Sequence, residues 1–139
     1  MMIRTAKEIQ GDIISLLRDS ALASSVSGAI YRKGYRPLNS QAEDIVVGFV
    51  TGTTGDIAEG VVVVNVYVAD IDAFGDGTLV ENGERTAELE ALAARWVESL
   101  TAGRSDYLFE LAQTITTEAE REVHQHFVTT RLAYRVLTN

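Results

Sequence analysis

The chain has 139 residues, with 12 Lys and Arg against 20 Asp and Glu for a net charge of −8, a single proline and no cysteine. A chain of this size forms one domain, spanning 1–139, and buries roughly 65–70% of its unfolded surface without disulfide or structural metal. The missing cysteine excludes thiolate zinc sites, Cys nucleophiles and disulfide scaffolds. The acidic balance argues against nonspecific attraction to nucleic acid or anionic membrane, which needs Lys and Arg to displace counterions.

Residues 1–20 carry charges throughout and no uninterrupted apolar run, so neither a signal peptide nor a membrane span is expected there, and the chain reads as one folded in a cytoplasm. Thr5 and Glu8 have the spacing of a capping box, and Ile9, Ile13, Leu16 and Leu17 then form one apolar stripe, which predicts a helix. The serines 20, 24, 25 and 27 read as a helix-ending loop, followed by a short strand over 28–33 and a loop over 34–41 around Pro37. Residues 44–51 are too continuously apolar for a one-sided strand, so cover on both faces is expected. A hairpin connection over 53–60 leads to the strongest strand, 61–69, in which Val62, Val64, Val66 and Val68 point one way and Val61, Val63, Asn65 and Tyr67 the other.

The Asp- and Gly-rich stretch 70–82 reads as a loop. A helix over 83–102 follows, with Leu89, Leu92, Ala93, Trp96, Val97 and Leu100 on its apolar side and Gly103 as a left-handed stop. Two strands, 106–113 and 122–137, close the chain, separated by the polar stretch 114–121. This order predicts an α+β two-layer sandwich, a mixed or antiparallel sheet of about 4–5 strands with two main helices on one face. The opposite face is then left open, with Tyr67, Phe109 and Phe127 as candidates on it.

Two constellations suggest metal chemistry. Counting Asp70 as position 1, Asp72 falls at 3, Gly75 at 6, Thr78 at 9 and Glu81 at 12, the spacing of an EF-hand calcium loop, but Phe74 stands at position 5 and cannot ligate. His124 and His126, alternating on a strand, would share a face with Glu122 as in a hydrolytic metal site. Both also read simply, as a solvated acidic loop and as sheet-surface histidines, and no cofactor is expected. Neither a nucleophile elbow nor a phosphate-binding glycine loop occurs. The mixture Tyr31, Arg32, Lys33, Tyr35, Arg36 is the one local basic patch, and in so acidic a chain it reads as a protein-contact loop.

The segments IYRKGYRPLNSQAEDIVVGFV (30–50), VVNVYVADI (63–71) and HQHFVTTRLAYRVL (124–137) resemble a family of small prophage proteins similar to the tail-completion or tail-terminator proteins of long-tailed bacteriophages. The resemblance implies a structural, non-enzymatic homo-oligomeric ring, commonly a hexamer, that caps the tail tube and joins it to the head. The implied partners are further copies of the chain, the tail tube and head-tail connector proteins, with no specific nucleic acid and no membrane. Its implied location is the host bacterial cytoplasm during assembly and the tail or neck of the virion afterwards. Interface candidacy carries over to Tyr31, Tyr35, Arg36, Pro37 and Asn39 in the loop and to Asn65 and Tyr67 in the strand. The alternative is a metal-binding domain or hydrolase built on His124 and His126 or on the 70–81 loop.

Overall fold

A computed structural model describes residues 3–102 and 105–138, so the predicted stop at Gly103 lies outside the described residues. Helix α1 (Ala6–Arg18) starts at the predicted capping box: the Thr5 hydroxyl accepts the Glu8 amide at 3.3 Å and the Glu8 carboxylate accepts the Thr5 amide at 3.4 Å. Its Ile9, Ile13 and Leu17 are buried, with Leu16 packed beside them. The serine-rich stretch is not all loop. Ser20 caps a short helix α2 (Ala21–Ser25), accepting the Ala23 amide at 3.1 Å, and Leu22 is buried. A single turn and a half has no hydrophobic period to read, which is why the pattern concealed it.

Four strands form the body of the sheet in the order β1 (Ile30–Arg32), β2 (Ile45–Thr53), β3 (Ile57–Ala69) and β6 (Gln125–Leu137). β1 runs parallel to β2, and the other pairs are antiparallel. The far edge of β6 carries two short strands end to end: β5 (Thr116–Glu120) against residues 125–129 and β4 (Tyr107–Leu111) against residues 132–136. The sheet therefore has six strands, not four or five. The extra strand, β5, lies inside the stretch expected to be a connection. It shows no apolar alternation because it is an edge strand whose inward Thr117 meets a carboxylate, donating to Glu90 at 2.7 Å. The β2–β3 hairpin is also tighter than expected, since β-pairing runs on to Thr53 and resumes at Ile57.

Register settles the faces. Val62, Val64, Val66 and Val68 lie with Ile45 and Val47 of β2 and Val128, Leu132, Tyr134 and Val136 of β6 in one core, closed by α1 and by Leu89, Ala93, Trp96, Val97 and Leu100 of α3 (Gly83–Ala102). Burial of each large aliphatic side chain contributes about 1.5–3 kcal/mol. The Trp96 indole donates to the Leu16 carbonyl at 3.2 Å and joins the two long helices. Both helices cover the same face, as predicted. Phe109 does not lie on the open face. It pairs with Tyr134 across the β4–β6 ladder and stacks on Tyr107 at 5.3 Å within the helix-side core. Cover on both faces of β2 holds for residues 45–48 and then fails, with Val50 43% exposed.

Gly52 and Gly60 face each other across β2 and β3, and a Cβ on either would lie 2.6 Å from the Tyr134 hydroxyl oxygen. At Gly60 the added carbon would also strike the backbone carbonyl of Thr51, whereas at Gly52 its other close neighbour is the tip of the Phe49 ring. Side-chain tips yield and a paired backbone does not. Gly60→Ala should therefore lower the unfolding free energy in urea by about 2 kcal/mol. Gly52→Ala should cost distinctly less, and equal losses at the two positions would contradict this account.

Candidate interaction face

The odd-numbered residues of β3 and β6 form the second face of the sheet, which no helix among the described residues covers. Near its middle Val46, Val63, Asn65, Phe127 and Arg131 line a trough of about 330 Å³. Tyr67 and Phe127, opposite each other in the ladder, pack with ring centroids 5.4 Å apart. The Asn65 Oδ1 and Gln125 Oε1 atoms are buried without a hydrogen-bond partner.

One end of this face is closed by the loop between β1 and β2, and Asp44 anchors it. The Asp44 carboxylate accepts the Ala29 amide at 3.0 Å, the Arg36 Nε at 2.8 Å and the Ser40 hydroxyl at 2.5 Å. Burial alone would raise its pKa. The hydrogen bonds from Ser40, Ala29 and Arg36, with the charge of Arg36, outweigh that and hold it below the ordinary Asp value. A side chain at Gly28 would collide with this carboxylate. Arg36 continues the chain of contacts: its guanidinium carbon lies 4.1 Å from the Tyr67 ring centroid, and its Nη2 donates to both the Ser40 and Ala42 carbonyls. The Ser40 carbonyl also accepts the Gln125 side-chain amide at 2.7 Å. The Tyr67 hydroxyl has its pKa raised, first by burial and then by Glu120, with Arg36 opposing. Next to Asp44, Glu43 receives a two-pronged contact from Arg85 of α3 at 2.7 and 2.8 Å, and Arg85 also donates to the Ser25 carbonyl at 2.7 Å. The Arg85 hydrogen bonds lower the Glu43 pKa against the opposing effect of burial.

The predicted interface residues separate into three kinds. Tyr35 is 68% exposed, and Pro37 and Asn39 are exposed beside it. Tyr31, Asn65 and Tyr67 are half-buried on the open face. Arg36 is largely withdrawn, its side chain 13% exposed and committed to Asp44, so it positions the loop. The basic patch is divided as well: Arg32 turns to the helix side and donates to the Lys7 carbonyl and the Gln10 side chain, leaving Lys33 as its exposed cation. Two features passed unnoticed in the sequence, Leu38 at 95% exposure and the exposed trio Ile57, Leu108 and Leu137 at the far end of the face. The first had a signal, an aliphatic residue following proline in a polar loop. The second had none, because it gathers residues from three separate strands.

The proposed metal constellations resolve into other contacts. β6 begins at Gln125, so His124 is not in the strand; it closes the short 3-10 turn Arg121–Val123, which contains Glu122, with left-handed backbone (φ 53°). His124, Glu122 and His126 therefore do not share a strand face. His126 lies on the helix side, with Nδ1 2.6 Å from Asp70 and Nε2 3.7 Å from Glu81. Glu81 accepts the Thr86 hydroxyl at 2.6 Å at the start of α3, and the Asp72 carboxylate accepts the Gly77 amide at 3.1 and 3.2 Å. Within the 70–82 stretch, Ile71 and Val80 bridge as a small antiparallel ladder. These acids stabilise turns and a helix start. Among the described residues no group of three or more His, Cys, Asp or Glu could hold a metal ion. Among them, too, no helix is long and apolar enough to cross a membrane.

Asp44→Asn should lower stability at pH 7 by about 3 kcal/mol, the loss expected when one partner of a buried ion pair is removed. Because folding lowers the Asp44 pKa, its contribution is complete above the ordinary value of 3.8 and is lost as pH falls through the folded value. Urea unfolding across pH should therefore show the gap between parent and variant closing below pH 3.8. A gap that stays constant would remove Asp44 from this role. The chain matches no protein-family model and no curated protein.

Proposed function

We propose that this chain is a structural assembly protein of a phage tail or head-tail junction, a terminator-like ring subunit that acts through contacts with further copies, the tail tube and the connector. The observation that carries the reading is the uncovered sheet face, bordered at both ends by exposed apolar side chains. Exposed apolar surface on a soluble subunit is costly unless a partner covers it. Further support comes from the three segments that resemble tail-completion proteins. Although far apart in the chain, they build β1, most of β2 and of β3, and β6, four successive strands of the sheet, together with the Asp44-anchored loop. On this reading no chemical step is needed, and the subunit works by shape: it assembles in the host bacterial cytoplasm and remains in the tail or neck of the virion.

The test is growth of purified tail tubes in the presence of the chain, followed by electron microscopy of tube length. The parent protein should stop growth and sit at tube ends. Tyr35→Ala, at an exposed position that leaves the fold intact, should raise the concentration needed by about tenfold, the loss of a 1.4 kcal/mol contact. A chain that neither shortens tubes nor decorates their ends would sink the reading.

A further inference from the structure

The trough in the middle of the open face gathers hydrogen-bond donors that the fold leaves unused. Val63 of β3 pairs with Gly48 of β2 on one side and with Arg131 of β6 on the other, and Asn65 pairs with Thr129 two residues further along β3. Lys33 reaches in from the end of β1, where its amide donates to the Val47 carbonyl at 2.9 Å. Because Gly48 has no side chain, the Lys33 stem takes the space beside it, its Cδ 3.4 Å from where a Cβ would stand. Four donor-bearing side chains, those of Lys33, Asn65, Thr129 and Arg131, thus line one concavity. None of the four makes a side-chain hydrogen bond or ion pair among the described residues. Thr129 is only 2% exposed, and its hydroxyl still has no partner. Polar groups buried to that degree are normally satisfied, by protein or by something bound.

The trough is also polarised. Lys33 and Arg131 bring two unpaired positive charges to one end, a local exception in a chain of net charge −8. At the other end stand the packed rings of Tyr67 and Phe127, with Glu118 paired to Phe127 in the β5–β6 ladder and Glu120 near Tyr67. Phe127 and Arg131 are four residues apart along β6, about 13 Å at the rise of an extended strand. Neither of these carboxylates pairs with either cation among the described residues.

This arrangement selects the chemistry of an occupant. A carboxylate accepts hydrogen bonds and donates none, fits the planar fork of Arg131 and the ammonium of Lys33, and has lone pairs left for Thr129 and Asn65. An apolar tail behind it has Val46 and Val63 to lie on and Phe127 to meet. Glu118 and Glu120 repel a second anionic group at the far end, so the occupant carries one negative charge. The volume of about 330 Å³ lies at the lower end of the range of small-molecule sites, about 300–1,000 Å³. We propose that this trough binds a small monocarboxylic acid with an apolar or aromatic tail, its carboxylate held by Arg131, Lys33, Asn65 and Thr129 and its tail against Phe127. The site goes beyond the assembly reading and does not rest on it.

The test is titration of the isotope-labelled full chain with hydrocinnamate, followed by NMR. Saturable shifts should centre on the Gly48, Val63, Asn65 and Thr129 amides, with a dissociation constant on the order of 1 mM for an acid of this size. Hydrocinnamide has the same tail without the charge and should bind at least about tenfold more weakly. The same loss is expected for hydrocinnamate with Arg131→Met, which keeps an apolar stem and loses the guanidinium. Thr129→Val, of equal shape, should weaken hydrocinnamate binding severalfold while melting no lower than the parent, because a methyl replaces an unpaired buried hydroxyl. Equal binding of acid and amide, no saturable shift, or unchanged binding in Thr129→Val or in a folded Arg131→Met chain would overturn the site. So would a capped peptide with one glutamate that binds these residues more tightly than hydrocinnamate, since the trough would then take an acidic side chain of a partner protein. Tube growth reports separately on assembly: hydrocinnamate binding in a chain that never stops growth upholds this site and removes the ring.

Discussion

A single buried carboxylate organises the loop end of the open sheet face. Asp44 sits where β1, the long loop and β2 meet, and its oxygens take up an amide of β1's approach, the loop hydroxyl of Ser40 and the guanidinium of Arg36. With its side chain 3% exposed, this acid is costly to bury, and the three donors offset that cost only when the loop has its observed shape. The same dependence gives the loop a definite conformation without secondary structure of its own. Through Arg36 it reaches the Tyr67 ring, through Ser40 it reaches Gln125, and through the Asp44 main chain it meets β3, where the Tyr67 amide donates to the Asp44 carbonyl at 2.9 Å. Exposed Tyr35 and Leu38 are therefore displayed on a fixed support, which lowers the ordering entropy that binding must overcome.

The two sides of the sheet are built by different physics. On the helix side, β-branched residues from the central strands meet the stripes of α1 and α3 in one continuous apolar core, and Trp96 links the helices. On the open side, apolar groups alternate with Asn65, Thr129, Lys33 and Arg131 around a trough, and two amide oxygens are left unpaired. Each such oxygen costs on the order of 1–3 kcal/mol when buried without a donor. A surface of that composition is less apolar than the helix side. The two short strands that share one edge of β6 lengthen this face without adding a helix to cover it.

The elements legible in the chain are those with local signals. The capping box at Thr5 and Glu8, the stripe through Ile9 and Leu17, the alternation from Val61 to Val68 and the apolar side of α3 each lie within a few residues of their own cause. The exposure of Tyr35, Pro37 and Asn39 was also readable, because a loop around a proline stays at the surface. β5 and α2 escaped notice for the opposite reason: the one is made strand by its pairing to β6, and the other is too short to show a period. Phe109 and the histidines were misplaced because the face of a residue depends on the strand it pairs with and on where that strand begins.

The sequence by itself thus determined a single acidic, cysteine-free α+β domain, two amphipathic helices, a central valine-rich strand with unlike faces and a displayed loop, since each follows from composition or from periodicity along the chain. Only the tertiary structure decided that Asp44 gathers its donors from the approach to β1 and from the loop, that His126 turns inward toward Asp70, and that Ile57, Leu108 and Leu137 meet in one exposed recess. Those outcomes depend on strand register and on contacts that no local pattern along the chain records, and a one-residue shift in pairing would send each strand side chain to the other face.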